Sequence, residues 1–191
     1  WTLVFMTSYK YRGELVENRI VLWNIAQSRN LFTSGFYGKP LGVSKPKGAD
    51  FDAPLILDLI EGYYLLHENL LKVVDCITRK SVSKTTLMKK CNSEYIEFNE
   101  KYLVYKTLRD MGYIVTPGIK FGSDFAVYEH GPGIDHAPFI IQVMIPESNI
   151  SSTAIVLAGR LATTVKKKFL IAIADTTRKQ VEFLSFDWWR A

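Results

Sequence analysis

The chain is poor in the residues that build cofactor sites and cross-linked scaffolds. Of 191 residues, two are cysteine, Cys76 and Cys91, and three are histidine. Two thiols neither make a disulfide framework nor complete a zinc site unaided, so both are expected reduced, in a cytoplasmic protein. No apolar run has the length of a membrane span; the longest, such as Phe139 to Ile145, are strand-sized. The opening WTLVFMTSYK lacks the basic-then-apolar layout of a signal peptide and an initiator methionine. The numbering is therefore expected to begin inside the reading frame. Also missing are a G-x-S-x-G nucleophile elbow, the Lys-Ser/Thr of a phosphate-binding loop and a dinucleotide fingerprint. Those absences argue against serine hydrolases, P-loop enzymes and nicotinamide or flavin chemistry. No repeat or low-complexity segment is present.

What remains is ample material for a core. Hydrophobic residues make up 48% and aromatics 13%, enough for one large domain or two small ones. The net charge of +5 is compatible with a nucleic-acid partner without requiring one. Lysines cluster at Lys39, Lys45 and Lys47, at Lys89 and Lys90, and at Lys166 to Lys168.

Local patterns divide the chain. GELVENRIVLW reads as a hairpin turned at Glu17-Asn18, within a first part of short strands. Residues 33–54 hold four glycines and three prolines, a density that excludes a regular helix or a central strand. A loop this long with aromatics and lysines favours a functional role. Leu55, Leu59, Tyr63 and Leu66 then recur at helical spacing, with Gly62 interrupting and His67 at the polar end. The basic stretch TRKSVSKTTLMKKCNS is a candidate boundary between modules. Beyond it a helix is expected, capped by Ser93, carrying a Tyr95, Phe98, Tyr102, Tyr105, Leu108 stripe and ended by Gly112. That stripe fits a core better than a base-stacking platform. Strands YIVTPG, FAVYEH and PFIIQVMI follow, then a helix from Ser151 or Ser152 to about Val165, then strands KFLIAIAD and QVEFLSFDWW. The second half is thus an α/β module with a mixed sheet.

Two of the three histidines fall in FAVYEHGPGIDHAPF. His130 and His136, with Glu129 or Asp135, match no familiar zinc spacing. A metal nuclease with an Asp…Glu-x-Lys pattern is disfavoured because Asp124 is followed by Gln142-Val143-Met144 where Glu-x-Lys belongs. Metal-free RNA cleavage needs less. The RNA's own 2′-hydroxyl is the nucleophile, so the protein supplies a base, an acid and a cation for the charged phosphorane. Tyr128, His136 and Lys167 have those three chemistries.

Their arrangement carries more weight than their types. GIKFGSDFAVYEHGPGIDHAPFIIQV followed by GRLATTVKKKFLIAIAD resembles the catalytic domain of the archaeal tRNA-splicing endonucleases over residues 93–191. SGFYGKPLGVSKPKG is similar to the loop insertion of the crenarchaeal-type catalytic subunits. The resemblance implies an α/β (α+β) fold of two domains. Residues 1–90 would be a small N-terminal α/β domain with the Gly/Pro/Lys-rich loop at 33–54. Residues 93–191 would be a C-terminal nuclease domain with a mixed central sheet flanked by helices. It assigns Tyr128 as general base, His136 as general acid and Lys167, flanked by Lys166 and Lys168, as the transition-state cation. Arg160 and Trp188, with Trp189 as alternative, would clamp an extruded nucleotide; Lys39, Lys45 and Lys47 would hold RNA from the loop. His130 has no catalytic counterpart, and Asp124 is read as orienting a loop.

The implied reaction is cleavage of precursor tRNA at both exon–intron junctions of a bulge-helix-bulge, leaving 2′,3′-cyclic phosphate and 5′-hydroxyl ends, with no metal or cofactor. The implied assembly is an α2β2 heterotetramer with a noncatalytic partner subunit, away from membranes. A noncatalytic subunit of the same enzyme and a basic RNA-binding module without catalysis are the alternatives.

Overall fold

The structure, a computed structural model, describes residues 9–44, 46, 48–119, 122–134, 137–153, 155–156, 159–160 and 167–185. The chain divides into two units, Trp1–Ile96 and Glu97–Ala191.

Alternating residues of Tyr11–Val16 (β1) turn back through Glu17 and Asn18 into Arg19–Leu22 (β2). Glu17 takes a φ of 52°, the left-handed geometry a two-residue hairpin turn demands. Next comes Ile25–Gly35 (α1), a helix where short strands are expected from the sequence. Its inward face includes Ser28, which hides the apolar period; the Ser28 hydroxyl donates to the Leu22 carbonyl at 2.9 Å. Asn24 caps the helix by accepting from the Gln27 amide, a signal visible in the sequence.

Lys39–Pro40 (β3), Leu55–Leu57 (β4), Leu59–His67 (α2), Leu71–Asp75 (β5) and Lys84–Glu94 (α3) complete this unit. The sheet order is β3-β4-β2-β1-β5, with β1 and β5 parallel and the other pairs antiparallel. Pro40 sits on the edge strand, the place a residue without an amide proton can occupy. Leu55, expected on a helix, lies in β4 instead. Asp58 separates the two elements: it caps α2, and its own amide donates to the Glu61 carboxylate at 2.9 Å. A Cβ on Gly62 would stand 2.2 Å from Ile20 Cδ1, so this glycine lets α2 lie directly on β2.

Residues 84–94, which begin within the basic stretch and end one residue beyond it, form α3 and bury Leu87 and Cys91 against α2. Burial, then the nearby Asp58 carboxylate, pushes the Cys91 thiol up to about 12. The unfolded chain ionises this thiol from its ordinary value of 9 upward, while the folded chain keeps it protonated. Its contribution to stability is therefore complete below pH 9 and lost as pH rises towards 12. In the folded chain at mildly alkaline pH, a thiol reagent is expected to modify the half-buried Cys76 and spare Cys91. Chemical unfolding followed against pH should weaken across that alkaline window, and Cys91→Ala should remove that part of the slope. Labelling of both thiols at equal rates would contradict this.

The second unit begins with Phe98–Asp110 (α4). Ser93 does not cap it. Ser93 lies in the last turn of α3, its hydroxyl bonded to the Lys90 carbonyl at 2.7 Å, and α4 starts from Glu97 in a left-handed conformation without a side-chain cap. Phe98, Tyr105 and Leu108 are buried, as expected of the stripe, and Tyr102 is partly buried; Tyr95 is not on this helix but follows α3, its hydroxyl donating to Asp58. Arg109 is buried as well, donating to the Tyr105 hydroxyl and the Val115 carbonyl, both at 3.1 Å. Gly112, at φ 90°, ends the turn after the helix.

Ile114–Pro117 (β6), Phe125–Tyr128 (β7), Phe139–Met144 (β8), Lys168–Asp175 (β9) and Gln180–Ser185 (β10) form the second sheet, in order β10-β9-β8-β7-β6. Only β8 and β9 pair in parallel. A parallel pair needs a crossover, and helical backbone occurs within it at residues 152–153, 155–156 and 159–160. Four named helices and two mixed sheets among the described residues make the fold α+β. No described helix is long and apolar enough to cross a membrane.

Candidate active site

Register places the candidate residues. Val127 pairs with Phe139 across β7 and β8, and Phe139 with Lys168 across β8 and β9. Tyr128 is the last residue of β7, and Lys167 immediately precedes β9. Continuing the register one residue beyond these pairs brings Tyr128, Pro138 and Lys167 level with one another. Lys168 lies in β9, in register with Phe139.

The lysine is also fastened. Lys167 Nζ donates to the Ala137 carbonyl at 2.6 Å, and the Lys168 amide donates to the Pro138 carbonyl at 2.8 Å. Such a charge-assisted bond, partly buried, holds the ammonium at the start of β8 and limits the rotamers of a flexible stem. No side-chain pattern in the sequence announces it, because the acceptor is a backbone oxygen. Ala137 directly follows His136 in the chain. His136 itself lies outside the described residues, as do Asp135, Lys166, Trp188, Trp189, Lys45 and Lys47.

At the other end of β7, Asp124 is structural support. Its carboxylate accepts from Gln142 Nε2 at 2.7 Å and from the Val143 amide at 2.8 Å, and it pairs with Lys101 of α4 at 2.8 Å. These contacts tie α4, β7 and β8 together and fix the register that sets the Tyr128 row. Tyr128 is partly buried; His130 and Arg160 are exposed.

In the first unit, Lys39 is exposed on β3 in register with Ile56. The base of its loop is held by a buried glutamate. Glu61 is buried on α2, and besides its bond to Asp58 it accepts from the Gly38 amide at 3.0 Å. Gly38 takes a φ of 70°, and a Cβ there would stand 2.7 Å from the Ile56 carbonyl. The far side of the loop is held by Arg29, which donates to the Phe51 carbonyl at 2.7 Å. An Asp-x-x-Glu box at 58–61 before an apolar run was the available signal.

This is a two-unit α+β chain with a tyrosine closing β7 and a tethered lysine just before β9. Residues 11–88 match the tRNA intron endonuclease N-terminal domain, and residues 98–183 the tRNA intron endonuclease catalytic C-terminal domain. The chain belongs to the tRNA intron endonuclease family. Among curated relatives, a tRNA-splicing endonuclease of Hyperthermus butylicus is 41% identical over 93% of this chain and 97% of its own length. One from Pyrobaculum arsenaticum is 40% identical over 94% and 99%, and one from Sulfurisphaera tokodaii is 39% identical over 92% and 97%.

Proposed function

We propose that this chain is a catalytic subunit of a tRNA-splicing endonuclease, cutting precursor tRNA at exon–intron junctions within a bulge-helix-bulge. The observation that supports the catalytic reading is the tether of Lys167: just before β9, on the continuation of the register from Tyr128, its ammonium donates to the Ala137 carbonyl. A subunit that only supports its partner has no need of a lysine held there.

In this mechanism Tyr128, as phenolate, takes the proton of the RNA 2′-hydroxyl. The 2′-oxygen attacks the adjacent phosphorus, and Lys167 stabilises the charge that gathers on the phosphorane oxygens. His136, as imidazolium, gives its proton to the departing 5′-oxygen. The products are a 2′,3′-cyclic phosphate and a 5′-hydroxyl. Because the substrate supplies the nucleophile and two side chains move the protons, no step uses a metal-bound water. Arg160 and Trp188 (or Trp189) clamp an extruded nucleotide by stacking, a role suited to a planar guanidinium and an indole. Lys39, Lys45 and Lys47 hold RNA from the loop of the first domain. The working assembly is an α2β2 heterotetramer with a noncatalytic partner subunit, which provides two active sites for two junctions.

The test is incubation of the purified chain, alone and with its partner subunit, with a bulge-helix-bulge RNA in excess chelator. Cleavage should persist and leave a cyclic phosphate. A strict requirement for an added divalent cation would overturn the mechanism, and binding without cleavage under both conditions would make the chain a noncatalytic subunit.

A further inference from the structure

We infer that the outer face of the first sheet is a second RNA-contact surface, centred on Trp23, Arg12 and Lys72. The inference rests on the proposal that the substrate is RNA, and extends it to a surface distinct from the loop lysines. Alternate residues of β1, β2 and β5 bury Tyr11, Ile20, Leu22, Leu71 and Val73 on the side of α1 and α2. The opposite face buries Val21 and Val74 in the row of Glu14, and in the next row carries Arg12 and Lys72, paired directly in parallel register and both exposed. Trp23, one residue past β2 and beside Arg12 when the β1–β2 register is continued, is 54% exposed.

Two features make this more than scattered charge. First, like charges placed directly opposite on neighbouring strands weaken a sheet. Among the described residues no carboxylate forms an ion pair with Arg12 or Lys72. The one acid of β1, Glu14, lies on the same face but pairs with Arg79 at 2.6 Å and accepts from Trp23. An anion is the counter-charge that would relieve the pair. Second, the indole is held: Trp23 Nε1 donates to Glu14 Oε2 at 3.1 Å, which fixes the ring on this face.

A lysine on an edge strand discourages sheet-to-sheet association by itself. That role requires neither an arginine on the inner strand β1 nor a half-exposed indole, which works against solubility. An aromatic plane on the same face as two cations instead suits a phosphate backbone with a base or sugar to stack upon.

The experiment compares the wild-type full chain with the Arg12→Ser/Lys72→Thr double variant and with Trp23→Ala, binding a precursor-tRNA transcript over a salt series. The double variant is expected to bind about tenfold more weakly near 0.1 M salt and to lower the salt slope by about two. Its melting temperature should equal or exceed that of wild type, since the like-charge pair is gone. Trp23→Ala should weaken binding with an unchanged salt slope. If wild type cuts the RNA and both variants bind it as tightly as wild type, this surface is overturned while the splicing reading stands. If wild type neither binds nor cuts RNA, the underlying reading fails and this one with it.

Discussion

Replacing Lys167 by methionine is expected to slow single-turnover cleavage by about 10²–10³-fold, with RNA affinity changed only a few-fold. Methionine keeps the length of the stem and removes the charge. The ammonium is bound 2.6 Å from the Ala137 carbonyl before any substrate arrives. Little reorganisation is then needed when charge builds on phosphorus, and a fixed cation acts on the transition state more than on the ground state. Lys168→Met is the internal control: that side chain is exposed on β9, in register with Phe139, and should leave the chemical step nearly unchanged. Equal losses in the two variants would mean that general electrostatic attraction, and not a placed cation, explains the effect. An unchanged rate in Lys167→Met would remove the residue from the mechanism.

His136→Ala should cost about 10²–10⁴-fold, the range of a positioned general acid. The proton matters because a 5′-alkoxide is a poor leaving group. A substrate carrying sulfur in place of the bridging 5′-oxygen departs without protonation. Cleavage of that substrate by His136→Ala should approach the wild-type rate, whereas Lys167→Met should remain slow on it, because phosphorane charge still has to be balanced. A His136→Ala defect that persists with the sulfur substrate would assign the histidine to binding or folding. Unimpaired cleavage of ordinary RNA by the variant would exclude it as the acid.

Much of the fold is written locally. The Glu17-Asn18 turn and the five strands of the second sheet are signalled by alternation and turn residues, which depend only on neighbours in the chain. Errors arise where tertiary packing gives a residue a face its own pattern hides. Ser28 turns inward on α1 because the Leu22 carbonyl is there to accept from it. Leu55 has helical spacing with Leu59, yet Asp58 stops a strand between them. Ser93 has a cap's chemistry but sits at the end of the preceding helix.

The candidate site divides in the same way. Its residue types, a tyrosine, a histidine and a lysine without cysteine or a carboxylate cluster, are properties of the sequence, as are the motifs that define the family. Three consecutive lysines, however, are chemically equivalent in a linear reading. Pairing of β8 and β9 begins at Lys168, opposite Phe139, and leaves Lys167 just outside the strand with its ammonium bonded to the Ala137 carbonyl. The backbone acceptor that tethers Lys167 and the like-charge pair of Arg12 and Lys72 are likewise products of register between segments distant in the chain. Sequence determined which chemistry this protein has available; strand pairing decided which of those groups stand together.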